Sequence, residues 1–139
     1  MTTDAYGGSS YAFRHEGARD SRTRGMLQKM DGACFSVGSK WGITAKFRYF
    51  EEDGTYVECR KNNVGAANAC PSFQMLPNGN FDDPPLVNQD GSDMVVGEWN
   101  TYSSEFTVTK ASLLEMHIFV SSMNAGFNYD LDDVELVPL

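Results

Sequence analysis

The residue types best able to do chemistry sit at alternate positions of short apolar–polar segments. In residues 42–51, Ile43, Ala45, Phe47 and Tyr49 make one face of a strand, which leaves Lys46 and Arg48 on the other. The same parity sends Tyr56, Glu58 and Arg60 outward from 56–60, Gln74 from 71–76, and Glu115 and His117 from 114–121. If these strands share a sheet, their outward residues form one polar, partly aromatic face. Guanidinium, amide and carboxylate groups make paired hydrogen bonds to adjacent hydroxyls, and an aromatic ring covers the apolar side of a pyranose. The mixture suits a sugar. Lys46, Arg48 and Arg60 extend the expectation to uronate or sulfated glycans, which Glu58 and Glu115 oppose. A solvated antiparallel sheet gives the same alternation with no ligand at all.

Catalysis finds less support. Glu58 and Glu115 are the available carboxylate pair for glycoside hydrolysis, but outward glutamates on separate strands occur in any sheet. His15 and His117 have no metal-ligand spacing between them, and there is no nucleophile elbow, Cys-x-x-Cys pair or phosphate loop. The acidic run near the C-terminus, Asp130-Leu-Asp-Asp133, carries a metal expectation instead. Asp132 shares the inward parity of Val134 and Leu136, with a change of phase at Asp132-Asp133. An inward carboxylate at a sandwich rim needs a partner, and calcium is a common one. The plainer alternative is that Asp130 and Asp132 cap backbone donors or face water.

Cys59 and Cys70 flank a turn-like segment, residues 60–69, and a Cys59–Cys70 disulfide is expected, which implies an oxidising compartment. Three reduced, semi-buried thiols are the alternative. Cys34 is then left over, buried as a small hydrophobe or paired outside this chain.

These residues need strands to hold them. A chain of 139 residues with 41% apolar content and 13 glycines suits one two-sheet core with many turns. Residues 1–9 read as a flexible lead-in and 10–139 as a single domain. Strands are expected over 10–16, 25–30, 42–51, 56–60, 71–76, 105–109, 113–121 and 128–137. Glu52-Asp-Gly54 makes a hairpin between the third and fourth of these. A long Pro-, Gly- and Asn-bearing loop covers 77–91. No segment has convincing helical periodicity, so the fold class is all-β, an antiparallel sandwich. Net charge is −8 with no basic block, which argues against nucleic acid and anionic membranes. No apolar run is long enough to span a bilayer. Met1-Thr-Thr-Asp carries no secretion-signal pattern, so the chain is expected to be an excised domain or one unit of a larger secreted chain.

A resemblance sharpens this. Tyr129-Asp-Leu-Asp-Asp-Val-Glu-Leu136 resembles the closing strand of jelly-roll carbohydrate-binding modules, the group with xylan- and glucan-binding members. Gly97-Glu-Trp-Asn100 followed by Ser104-Glu-Phe-Thr-Val108 is similar to that group's Trp and Phe-Thr-Val strand. Gly25-Met-Leu-Gln28 and Trp41-Gly-Ile-Thr-Ala-Lys-Phe-Arg-Tyr-Phe50 fall where the group has a Gln-bearing strand and a long aromatic strand. The likeness runs over residues 10–137 with a gap at 61–95. It implies a noncatalytic, secreted module that binds a polysaccharide or oligosaccharide in a cleft across one sheet. It also implies a structural calcium on the opposite sheet, held partly by Asp132. The usual Asn-x-x-Phe-Glu strand is missing here, with Asp4 or Glu16 as substitutes. By the same likeness Trp99 is read as a packing residue. Trp41 stays open as core or platform, with Tyr6, Phe81 and Tyr102 as other aromatic candidates. A protein-interaction or adhesion domain of the same fold is the competing expectation, and a small glycoside-active enzyme a third.

Overall fold

The computed structural model describes residues 1–20, 25–60, 69–79, 94–110, 114–121 and 126–139. Among these residues seven strands run in order: β1 (Phe13–His15), β2 (Leu27–Asp31), β3 (Lys40–Phe50), β4 (Ser72–Pro77), β5 (Asn100–Thr107), β6 (Glu115–Ser121) and β7 (Asn128–Pro138). They form a four-stranded sheet, β1-β7-β3-β5, and a three-stranded sheet, β2-β6-β4, with every pairing antiparallel. Each successive strand lies in the opposite sheet from the one before it. That wiring makes the sandwich a jelly roll. Among the described residues no helix is long and apolar enough to cross a membrane.

Alternation builds the core. Ile43, Ala45, Phe47 and Tyr49 of β3 all point inward and are buried, as their spacing predicts. Phe73 and Met75 of β4, Met116, Ile118 and Val120 of β6, and Tyr129 and Leu131 of β7 meet them. The C-terminal strand also behaves as its pattern requires, with one refinement. Thr44 pairs with Glu135 and Lys46 with Asp132, so two β7 residues, Asp133 and Val134, lie opposite the single Ala45. This is a β-bulge, and Asp133 takes a left-handed φ of 45° within it. The phase change in the sequence is the bulge.

Three expectations are corrected. Residues 56–60 form no strand: Tyr56 makes an isolated bridge to Phe50 and Arg60 one to Ala69. Val57 packs against the core and Cys59 is buried in it, so the predicted inward parity survives without the ladder. Second, the bulge keeps Asp132 on the outer face of the sheet, level with Lys46, so it neither points inward with Leu136 nor lies on a sheet opposite Lys46 and Arg48. Third, β5 begins at Asn100, five residues ahead of the expected start, because Thr101 and Ser103 hide its alternation under polar side chains. Most of the expected 77–91 loop, with Phe81, lies outside the described residues.

The disulfide forms as expected, with Cys59 and Cys70 joined and their Cα atoms 4.7 Å apart. Cys34 ends a single 3-10 turn, Gly32–Cys34, and is an exposed free thiol, which removes the buried alternative.

Candidate functional site

The outer face of the four-stranded sheet is where the polar chemistry collects. Register puts Arg14 of β1, Asp130 of β7 and Arg48 of β3 side by side in one cross-strand row. Asp130 is fully buried. Its Oδ1 accepts from Arg14 Nε at 2.6 Å, and its Oδ2 accepts from Arg14 Nη2 and Arg48 Nη2, each at 2.8 Å. A buried carboxylate demands such partners, since an unpaired charge away from water costs several kcal/mol. The Arg14 guanidinium is held above its ordinary range by the hydrogen bond to Asp130, against the opposing effect of burial. For Arg48 burial works against the charge, and the bonds to Asp4 and Asp130 more than offset it.

Aromatic rings frame this row. Arg48 lies 4.3 Å from the Trp99 ring centroid and 5.5 Å from that of Tyr56. Arg14 stands 5.0 Å over Phe50, whose ring meets Tyr56 edge-on. In the next row Lys46 Nζ donates to Thr101 Oγ1 at 2.8 Å and sits 4.5 Å over the Tyr6 ring. Tyr6 in turn meets Trp99 edge-on. Cation–π contacts of this kind fix the orientation of both partners. Beside them opens a polar depression of about 280 Å³ lined by Thr44, Ala45, Lys46, Thr101, Asp133 and Glu135.

Trp99 is therefore not the packing residue expected of it. It is half-buried over Arg48 on this face, outside the core cluster. Its direction is set by β5, where Asn100, Tyr102, Ser104 and Phe106 are buried in alternation with Thr101 and Glu105, so Trp99 has outward parity. Arg14 was also missed, because three residues of strand give almost no periodicity. Trp41 packs with Phe35 against the core, and its Nε1 donates to Ser39 Oγ. Tyr102 is core.

The eight expected face residues do not share one sheet. Lys46 and Arg48 lie on the four-stranded sheet, with Tyr56 packed over Arg48. Gln74, Glu115 and His117 belong to β4 and β6 of the other sheet. Gln74 is buried there, opposite Phe119. Glu115 takes a 2.8 Å bond with His117 Nε2 and a salt bridge with Lys29, and both hold its carboxyl below the usual range. Glu58 and Arg60 are exposed, Arg60 through its bridge to Ala69 next to the disulfide. The division follows from the jelly-roll wiring, since β3 and β4 lie in different sheets.

Asp132 spends its oxygens on backbone donors. Oδ2 accepts from the Tyr6 amide at 2.9 Å and Oδ1 from that of Asp133 at 2.8 Å. Among the described residues no three His, Cys, Asp or Glu side chains gather to hold a metal ion. The side chains present do not by themselves fit a calcium site at Asp132. A second cavity, of about 570 Å³, opens between the sheets and is lined by apolar residues such as Phe13, Leu27 and Leu136, with Gln28 the polar exception. It cannot satisfy the hydroxyls of a sugar.

No protein-family model matches this chain, and no curated protein does. Solved structures do resemble it. The CBM22-1 xylan-binding domain of Paenibacillus barcinonensis Xyn10C superposes with a TM-score of 0.64 at 10% identity, over 99% of this chain and 78% of that one. The CBM22-2 xylan-binding domain of the same protein gives 0.61 at 14% identity, over 96% and 81%. The CBM22-1–GH10 modules of Clostridium thermocellum xylanase 10B, solved with xylohexaose, give 0.63 at 14% identity. That match covers all of this chain but 23% of the xylanase chain. At these identities the likeness shows the jelly-roll fold, in agreement with the resemblance read from the closing strand.

Proposed function

We propose that this domain is a noncatalytic carbohydrate-binding module that holds a neutral polysaccharide across the outer face of its four-stranded sheet. The observation that carries the reading is that Tyr56 and Trp99 flank Arg48 beside the polar depression at Thr44, Lys46, Thr101, Asp133 and Glu135. Sugar C–H faces would pack on the rings. Hydroxyls would donate to Asp133 and Glu135 and accept from Lys46 and Thr101. Arg48 is positioned in advance by Asp130 and Trp99, which lowers the ordering cost of binding.

Charge decides between neutral and anionic ligands. The cations of this face, Arg14, Lys46 and Arg48, stand among Asp4, Asp130, Asp132, Asp133 and Glu135. Both guanidiniums already face carboxylates, so a uronate or sulfate meets net repulsion. The whole chain, at −8, adds to it. The disulfide supports an oxidising, extracellular setting. In such a setting the domain would concentrate an attached or partner catalytic unit on its polymer.

Titration calorimetry with neutral and uronate-bearing oligosaccharides tests the reading. Binding of a neutral oligosaccharide and indifference to the acidic one is the expected result. Heat from the acidic ligand alone would contradict the charge argument. Silence from both, with the protein folded, would shift the case to a protein-interaction domain.

A further inference from the structure

We infer that the tip of the N-terminal hairpin, residues 3–10, is a gate over one end of this face, with Asp4 holding the donor edge of Arg48 in place of a sugar; the inference rests on the glycan reading above. Thr2 and Ala12 exchange both backbone hydrogen bonds at 2.9 Å and form the base of the hairpin. Ala12 is buried, so the base is fixed to the domain. Between them the chain turns through Gly7, at a φ of 62°, with Ser9 N–H donating to the Tyr6 carbonyl.

A small set of contacts ties the tip to the sheet. Arg48 Nη1 donates to Asp4 Oδ2 at 2.7 Å, and Arg48 Nη2 donates to the Asp4 carbonyl at 3.0 Å. The Tyr6 amide donates to Asp132 at 2.9 Å, and the Tyr6 ring rests against Lys46 and Trp99. In this closed position Asp4 and Tyr6 occupy the groups a sugar would use: a guanidinium edge, an ammonium and an indole.

The latch is built to release. The Asp4 side chain is 66% exposed, so its ion pair is screened by water and holds weakly. Arg48 does not depend on it, because Asp130 and Trp99 keep the guanidinium in place when Asp4 leaves. The Nε of Arg48 is buried with no hydrogen-bond partner among the described residues. Nothing comparable loosens Asp130, which is fully buried between two arginines. The most exposed partner in the network is Asp4.

Asp4→Ala in the intact chain tests the gate through two readouts. The first is hydrogen exchange at the Tyr6 amide without ligand, which should speed up by about two- to fivefold if the Asp4 pair holds the tip down. The second is affinity for whichever neutral polysaccharide the wild type retains, which should tighten by about the same factor. Unchanged exchange would overturn the gate whatever the ligand result. Faster exchange with equal or weaker affinity would overturn it too, making the tip a wall of the site. If neither protein binds any glycan while exchange still speeds up, the glycan reading fails and this inference with it, with the latch itself left measured.

Discussion

Asp130 lies between Arg14 and Arg48 and bonds both guanidiniums, though 116 and 82 residues of chain separate it from them. Three strands of one sheet are cross-linked by a single fully buried carboxylate. The relationship orders both the fold and the candidate site. It joins the short β1 to the sheet and fixes the guanidinium under Trp99.

Asp130→Ala removes the shared acceptor and leaves Arg48 buried without its inner partner. Breaking a buried pair in this way costs about 3–5 kcal/mol. Urea unfolding should show a loss of that size. A loss below about 1 kcal/mol would mean that the pair is no more than a surface-type contact.

The Cys59–Cys70 bridge closes a loop with a sequence separation of 11. Chain-entropy arguments put its contribution at about 3 kcal/mol. A Cys59→Ser, Cys70→Ser double variant should unfold at correspondingly lower denaturant, and reductant should then have no further effect. A variant as stable as the wild type would show the bridge to be dispensable.

His15 stacks on Tyr129 at 5.2 Å and is held below its ordinary value of 6.5, by burial first and by the charge of Arg19 second. The unfolded chain therefore takes up this proton at higher pH than the folded one. Stability from the neutral imidazole is complete above the unfolded value and is lost as pH falls below it. The melting temperature should drop as pH is lowered through 6.5, and His15→Phe, which keeps a ring on Tyr129, should flatten that slope. An unchanged slope in the variant would remove His15 from the account.

Calcium bears on Asp132, whose two oxygens already accept backbone N–H groups. Excess calcium and excess chelator should give the same melting temperature. A midpoint that rises with calcium concentration would follow mass action at a real site and show that main-chain carbonyls complete it around Asp132.

Much of the sandwich was legible in the sequence because alternation in β3, β4, β6 and β7 is strong and local. The Asp132-Asp133 change of phase even marked the bulge, although it left the direction of Asp132 open to misreading. What could not be read was which strands share a sheet. The parity of Lys46 and that of His117 are equally clear, yet β3 and β6 lie in different sheets. Parity gives a face, and only long-range register gives a neighbour. Arg14 and Asp4 were hidden for the same reason, since their partners Asp130 and Arg48 come from distant strands. Trp99 was misplaced for a different one: its packing role came from the likeness, and the polar Thr101 and Ser103 concealed the strand that sets its direction.

A neutral glycan is proposed to lie on the face of Trp99 and Lys46, not on the sheet of Glu115 and His117. The most direct test is affinity electrophoresis of the wild type, Trp99→Ala and His117→Ala in gels containing a neutral polysaccharide, with melting curves confirming that each is folded. Retardation is expected for the wild type and for His117→Ala, with its loss in Trp99→Ala. Full retardation of a folded Trp99→Ala protein, or its loss in His117→Ala alone, would contradict the account.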